Sequence, residues 1–179
     1  MRYVGLLRAV NVGKRQVPMA KLRSLCEELG HTEVETLLQS GNVVFTAPKA
    51  KVADLEAALA SALEAEFGFA VPVLVRTGAQ LDRVIDANPF AKQAKTDPKT
   101  VHVAFASGSV KSSLLADVDT ERLAPDEFSP GRDEIYLHYP NGSGRSKMVL
   151  QVFEKPLGLD LTGRNWNTVL KLRDLASAS

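Results

Sequence analysis

Val34-Glu35-Thr36-Leu37-Leu38-Gln39-Ser40-Gly41-Asn42-Val43-Val44-Phe45-Thr46 is the stretch whose reading decides the fold. Two β-rich runs, Val34 to Leu38 and Asn42 to Thr46, flank Gln39-Ser40-Gly41, whose Ser-Gly pair marks a turn, so the stretch reads as a hairpin. Before it, Met19, Leu22, Leu25, Cys26 and Leu29 recur at three- and four-residue spacing. Pro18 suits the first position of that helix, and Gly30 suits the residue after its last turn. After the hairpin, Val52, Leu55, Leu59, Leu63 and Phe67 mark a second amphipathic helix, which Gly68 closes. A strand from Arg2 to Arg8 leads in and a strand from Phe69 to Arg76 leads out, so the order is βαββαβ. Right-handed crossovers turn that order into an antiparallel sheet with strand order 4-1-3-2, the split-βαβ or ferredoxin-like arrangement, with helices on one face. Strand four then lies at an edge, where Pro72, which has no N–H for a ladder, is tolerated.

Downstream, Thr77 and Gln80 have capping-box spacing ahead of Leu81, Val84 and Ile85, and Asn88-Pro89 ends that helix. Lys92 to Lys99 lacks an apolar period and reads as a linker carrying Lys92, Lys95 and Lys99. A strand at Val101 to Ala106, a short helix near Val110 to Asp117 and a hairpin around Ser129-Pro130-Gly131 follow, the hairpin's second strand being Ile135 to Tyr139. A helix over Ser146 to Lys155, a stub strand at Asp160 to Gly163 and a last helix marked by Trp166, Val169, Leu170 and Leu172 complete the chain. The second half loosely repeats the first. The expected class is α+β, with two ferredoxin-like subdomains in tandem over 1–76 and 100–179, joined by a helix and lysine-bearing linker over 77–99.

The 179 residues are 45% hydrophobic and 24% charged, a balance that supports a real core and argues against disorder. Apolar stretches such as Val71 to Val75 end well short of the roughly 18 residues needed to span a bilayer. The N-terminus lacks the apolar segment and small-residue cleavage site of a signal peptide, and a single cysteine, Cys26, cannot form an internal disulfide. The expectation is therefore a cytoplasmic protein. Net charge is only +1, yet residues 1–23 carry +6, residues 141–179 carry +3 and the middle carries −8. Should the two basic ends meet in the fold, they would form a positive site for an anion; the alternative is a solvated mixture of charges.

Five motifs in order carry a family resemblance over nearly the whole chain. They are Leu6-Leu7-Arg8-Ala9-Val10-Asn11-Val12-Gly13, Val17-Pro18-Met19 through Leu22-Arg23, Gln39-Ser40-Gly41-Asn42-Val43-Val44-Phe45, Tyr139-Pro140-Asn141-Gly142 with Gly144-Arg145-Ser146-Lys147, and Arg164-Asn165-Trp166-Asn167-Thr168-Val169. The chain resembles the bacterial family called domain of unknown function 1697. The resemblance implies a cytosolic protein of two ferredoxin-like subdomains and brings no established activity. Ala9 stands where the family usually has Gly, and Lys14 or Arg15 replaces a second Gly after Gly13, which makes the first loop stiffer and more basic.

Each motif has a functional and a structural reading. In the first loop, Arg8, Asn11 and Gly13, beside Lys14 and Arg15, suit a phosphate cradle, yet Asn11 equally suits a local Asx turn, and no P-loop pattern is present. Ser40 and Asn42 belong to the hairpin turn and can still border a site. Asn141 to Lys147 is the stronger candidate. Gly142 and Gly144 leave backbone N–H groups open just ahead of the expected helix, Arg145 and Lys147 add charge, and Ser146 is the competing N-cap. Arg164, Asn165 and Asn167 surround Trp166; Arg164 suits a fork onto phosphate or carboxylate, or a pair with an internal acid. An Arg164 that waits for an anion predicts that its removal leaves stability level.

Catalytic signatures are absent: there is no H-E-x-x-H, no G-x-S-x-G, no cysteine pair and no dinucleotide fingerprint. Cys26 lies on a helix's apolar stripe, His31, His102 and His138 share no ligand spacing so that no metal site is expected, and the sequence leaves any cofactor unknown. Asp126, Glu127, Asp133 and Glu134 read as solvated charges beside a hairpin. Three functions stay open. One is a small-molecule site, enzymatic or not, binding an anionic or phosphate-bearing ligand in a basic cleft between the halves. A second is an RNA-binding module, for which strands one and three offer only Tyr3 and Phe45 as stacking aromatics, so nucleic acid is not expected. The third is a protein-interaction scaffold. No residue pattern decides an oligomeric state.

Overall fold

The computed structural model describes residues 1–178. The chain is α+β and carries two four-stranded antiparallel sheets. It divides into two compact units, one formed by residues 1–82 with the C-terminal residues from Leu172, the other by Arg83–Lys171.

The first unit opens with β1 (Arg2–Leu7), followed by α1 (Met19–Glu28), β2 (Thr32–Leu37), β3 (Asn42–Thr46), α2 (Val52–Phe67) and β4 (Val73–Thr77). Its strand order is β2-β3-β1-β4, the neighbours expected from the crossover rule. Pro18 supplies the extended residue ahead of α1 rather than its first turn, and Gly68 closes α2 in the left-handed conformation at φ 74°. Tyr3, Leu7, Val43, Phe45, Val73 and Val75 project from one sheet face onto the apolar stripes of α1 (Leu22, Leu25, Cys26) and α2 (Leu55, Leu59, Leu63). Pro72 lies just before β4 rather than inside it, so no ladder donor is lost, and its carbonyl accepts the Arg8 N–H at 2.9 Å.

The capping box ahead of α3 (Gly78–Asp86) is formed reciprocally: the Thr77 N–H donates to Gln80 Oε1 at 2.8 Å, and the Gln80 N–H donates to Thr77 Oγ1 at 3.2 Å. The expected linker at Lys92–Lys99 is instead structured. It carries α4 (Ala91–Thr96) and a 3-10 turn at Pro98–Thr100, because Ala94 is buried and the Asp97 carboxylate accepts the Lys99 N–H. A short buried contact suffices to order a polar segment that shows no periodic stripe.

The second unit contains β5 (Val101–Ala106), a 3-10 turn at Ser112–Leu115, α5 (Thr120–Leu123), β6 (Glu127–Pro130), β7 (Glu134–His138), α6 (Gln151–Leu157) and β8 (Leu161–Asn165). The sheet order, β6-β7-β5-β8, repeats that of the first unit. The core gathers Ile135, Leu137, Tyr139, Met148, Phe153 and Leu161. Helix α7 (Trp166–Ser177) ends the described chain.

Two expectations are corrected here. The helix foreseen from Ser146 starts only at Gln151, because the Ser146 hydroxyl takes the Met148 N–H at 2.8 Å and Met148 is buried in the core, which holds 146–150 out of helical register. Glu134 is no solvated edge charge. It is 1% exposed and receives both Arg83 Nη groups at 3.1 and 3.0 Å, together with the backbone N–H groups of Arg132 and Asp133. The Tyr136 hydroxyl donates to the Val84 carbonyl at 2.8 Å beside this pair.

Candidate functional site

The basic loop of the second unit is built from its two ends. At one end the Gly142 N–H returns to the Tyr139 carbonyl at 2.9 Å, with Gly142 at φ 81°, a conformation that favours glycine. At the other end the Ser146 hydroxyl donates to the Asp126 carboxylate while accepting the Met148 N–H, and the Tyr139 hydroxyl holds the Met148 carbonyl at 3.0 Å. Between these anchors Arg145 and Lys147 are exposed. Helix α5, whose first turn is capped by Asp119 accepting the Arg122 N–H at 3.0 Å, brings Arg122 to the same place.

Loop and helix enclose a hollow of about 190 Å³ lined by Arg122, Pro125, Asn141, Arg145 and Lys147, with Asp126 as the one acid. Three cations against one carboxylate leave the hollow positive, and the carboxylate is already engaged by Ser146. Guanidinium forks, an ammonium and an amide recognise oxyanions. Besides the three cations the lining holds Ser146 and the Asp126 carboxylate, which are hydrogen-bonded to each other.

Of the residues singled out from sequence, the structure brings Arg145 and Lys147 together here. Arg122, which no motif marked, joins them; a lone arginine on a four-residue helix carries no local signal, and only the fold sets it against the loop. Asn11, Ser40 and Asn42 meet elsewhere, on the loops flanking β1 and β3. Asn11 donates to the Val17 carbonyl at 3.1 Å and to the Gln39 carbonyl, and accepts the Val17 N–H at 2.8 Å, so its amide staples the loop. Asn42 is fully buried and donates to the Leu37 carbonyl at 2.7 Å and to Ser40 Oγ at 2.9 Å. Gly13 sits at the loop tip with φ 59° and Arg8 is half-buried. Arg15 donates to the Ala9 and Ala70 carbonyls and lies 4.8 Å over the Phe69 ring, which commits this cation to the loop.

At the β8–α7 junction Arg164 is 6% exposed, and its Nη1 donates to Thr162 Oγ1 and to the Gly163 carbonyl, both at 2.8 Å. Burial pushes its guanidinium down to about 10. Asn165 Oδ1 accepts the Thr168 N–H at 2.9 Å and the Thr168 hydroxyl at 3.1 Å, which caps α7, while Trp166 is buried and Asn167 exposed. Tyr3 and Phe45 stack at 5.8 Å inside the core with no exposed surface. Among the described residues no group of three or more His, Cys, Asp or Glu side chains is placed to hold a metal ion, and no helix is long and apolar enough to cross a membrane.

Comparison with curated proteins finds no match. Among solved structures the chain is similar to a conserved bacterial protein of Streptococcus pneumoniae, at 24% identity over 98% of both chains with a TM-score of 0.77, a likeness of fold. The family model described as "Protein of unknown function (DUF1697)" matches residues 1–136. With three quarters of its length inside that model, the chain belongs to the DUF1697 family.

Proposed function

We propose that this protein binds a small phosphate-bearing anion in the basic hollow of its second unit, held by Arg122, Arg145 and Lys147. The observation that carries the reading is the convergence of these three cations from two separate elements on one hollow, around a glycine-bearing loop anchored at both ends. The repeated element order and strand neighbours support reading each unit as a split-βαβ, ferredoxin-like subdomain that serves as a rigid carrier for such a loop. A reducing, cytoplasmic setting suits the single buried Cys26.

The test is thermal melting in inorganic phosphate against chloride at matched ionic strength. Phosphate should raise the melting temperature of the wild type, since a ligand at ~100 times its Kd adds about 2.7 kcal/mol. The double variant Arg145→Ala, Lys147→Ala should keep the wild-type melting temperature in chloride, both side chains being exposed, and lose the phosphate response. No response in the wild type, or an undiminished one in the variant, overturns the proposal.

A further inference from the structure

The basic hollow does not end at its cations. Arg122, Leu123 and Lys147 form a shared wall, and on its other side lies a larger hollow of about 480 Å³. That volume falls within the range of pockets that hold a small organic molecule, whereas the 190 Å³ compartment suits a head group. The lining of the larger hollow is mainly apolar, with Leu114, Val118, Val149, Val152 and Pro156 in it. Leu114 and Val149 are 45% and 49% exposed, among the few large apolar side chains on this surface left open to water, and both border the same concavity. Uncovered apolar groups in a concave place beside a charged rim are the mark of a site for an amphipathic ligand.

From this adjacency we infer that the ligand is a phosphate monoester with an apolar body, its phosphate between Arg122, Arg145 and Lys147 and its aliphatic or aromatic part over Leu114 and Val149. The inference rests on the anion-binding reading above and adds the second half of the molecule. The charged groups of the larger hollow nearly balance, Lys155, Arg122 and Lys147 standing there with Asp117 and Asp119, so it is the apolar side chains that set what the ligand's body must be.

Isothermal titration of the full chain with inorganic phosphate, n-hexyl phosphate, phenyl phosphate and n-hexanol tests this. Hexyl and phenyl phosphate are expected to bind at least tenfold more tightly than inorganic phosphate, and hexanol is expected to show no measurable binding. Val149→Ser and Leu114→Ser, at half-exposed positions, should cut that gain to threefold or less while leaving the affinity for inorganic phosphate unchanged. Equal affinity for inorganic and hexyl phosphate overturns the inference and leaves the anion site standing. A gain that survives both serine variants overturns the assigned groove. Binding of none of the phosphates overturns the inference together with the anion site.

Discussion

Arg76 and Arg164 occupy the same station in the two units: each is the penultimate residue of its unit's last strand, opposite Val4 in β1 and Val103 in β5 respectively. Each is 6% exposed, and each donates from Nη1 to the carbonyl of the residue before it, Val75 at 2.9 Å and Gly163 at 2.8 Å. Each is followed by a polar residue, Thr77 or Asn165, that caps the next helix. The motif that drew attention near the C-terminus is thus one copy of a repeated strand-to-helix junction.

That equivalence changes what removal of Arg164 should do. A guanidinium waiting in solvent could be deleted without cost, whereas this one is buried and satisfies buried acceptors. Arg164→Ala is expected to destabilise the protein by about 2–4 kcal/mol through a cavity and orphaned acceptors. Arg76→Ala should cost a similar amount, with Glu56 at 3.8 Å losing its cation as well. Urea unfolding of both variants checks this; a level midpoint for Arg164→Ala would return that residue to a ligand-binding role.

The Arg83–Glu134 pair makes acid stability measurable at a single carboxylate. Burial alone would raise the Glu134 carboxyl, but the Arg83 hydrogen bonds and charge and the Arg132 and Asp133 N–H groups outweigh it and hold the carboxyl below its ordinary value. A lowered folded value contributes stability that is complete above the unfolded value, roughly 4.3, and is lost as pH falls through the folded one. Wild-type stability should therefore drop below about pH 4, and Glu134→Gln should flatten that acid limb while being less stable at neutral pH. Arg83→Ala leaves Glu134 charged and buried, at an expected cost of ~3 kcal/mol, the lower end for a broken buried pair because Arg83 is partly exposed.

Gly41 and Gly13 separate steric from conformational need. Both have positive φ, 79° and 59°, but an added Cβ at Gly41 would stand 2.6 Å from Val10 Cγ2 and 2.8 Å from Leu7 Cβ, and at Gly13 it meets nothing. Gly13→Ala should cost about 1–2 kcal/mol for the left-handed backbone alone. Gly41→Ala should cost about 1–3 kcal/mol more from overpacking, as two denaturation curves would show.

Burial pushes the Cys26 thiol up to about 12, so the native protein should resist a thiol-labelling reagent at neutral pH and react only on unfolding. Rapid labelling under native conditions would contradict the burial of α1 against its sheet.

Single-stranded RNA should bind more weakly than micromolar at ~150 mM salt, where non-specific phosphate contacts are largely screened. Tyr3 and Phe45, the aromatics on the two central strands of the first sheet, are fully buried and unavailable for stacking on bases. A filter-binding or fluorescence titration decides it.

The sequence by itself determined the elements whose signals are local. The span Val52–Phe67 with its closing Gly68, the reciprocal Thr77–Gln80 box and the hairpin around Gly41 depend on neighbours within a few residues, and helical period, cap chemistry and turn preference are set at that range. The order of the first sheet followed from crossover handedness, which is a property of connected elements. Tertiary structure alone decided everything that depends on distant partners. Ser146 looked like a helix cap until Asp126 and the buried Met148 claimed its surroundings, and Glu134 looked solvated until Arg83, 51 residues away, closed on it. Arg122 became a candidate ligand residue only when the fold set its one-turn helix against the loop of Arg145 and Lys147. The energy of a charge or a hydroxyl depends on its solvation and on its partners, and both are created by packing, which residue spacing along the chain does not encode.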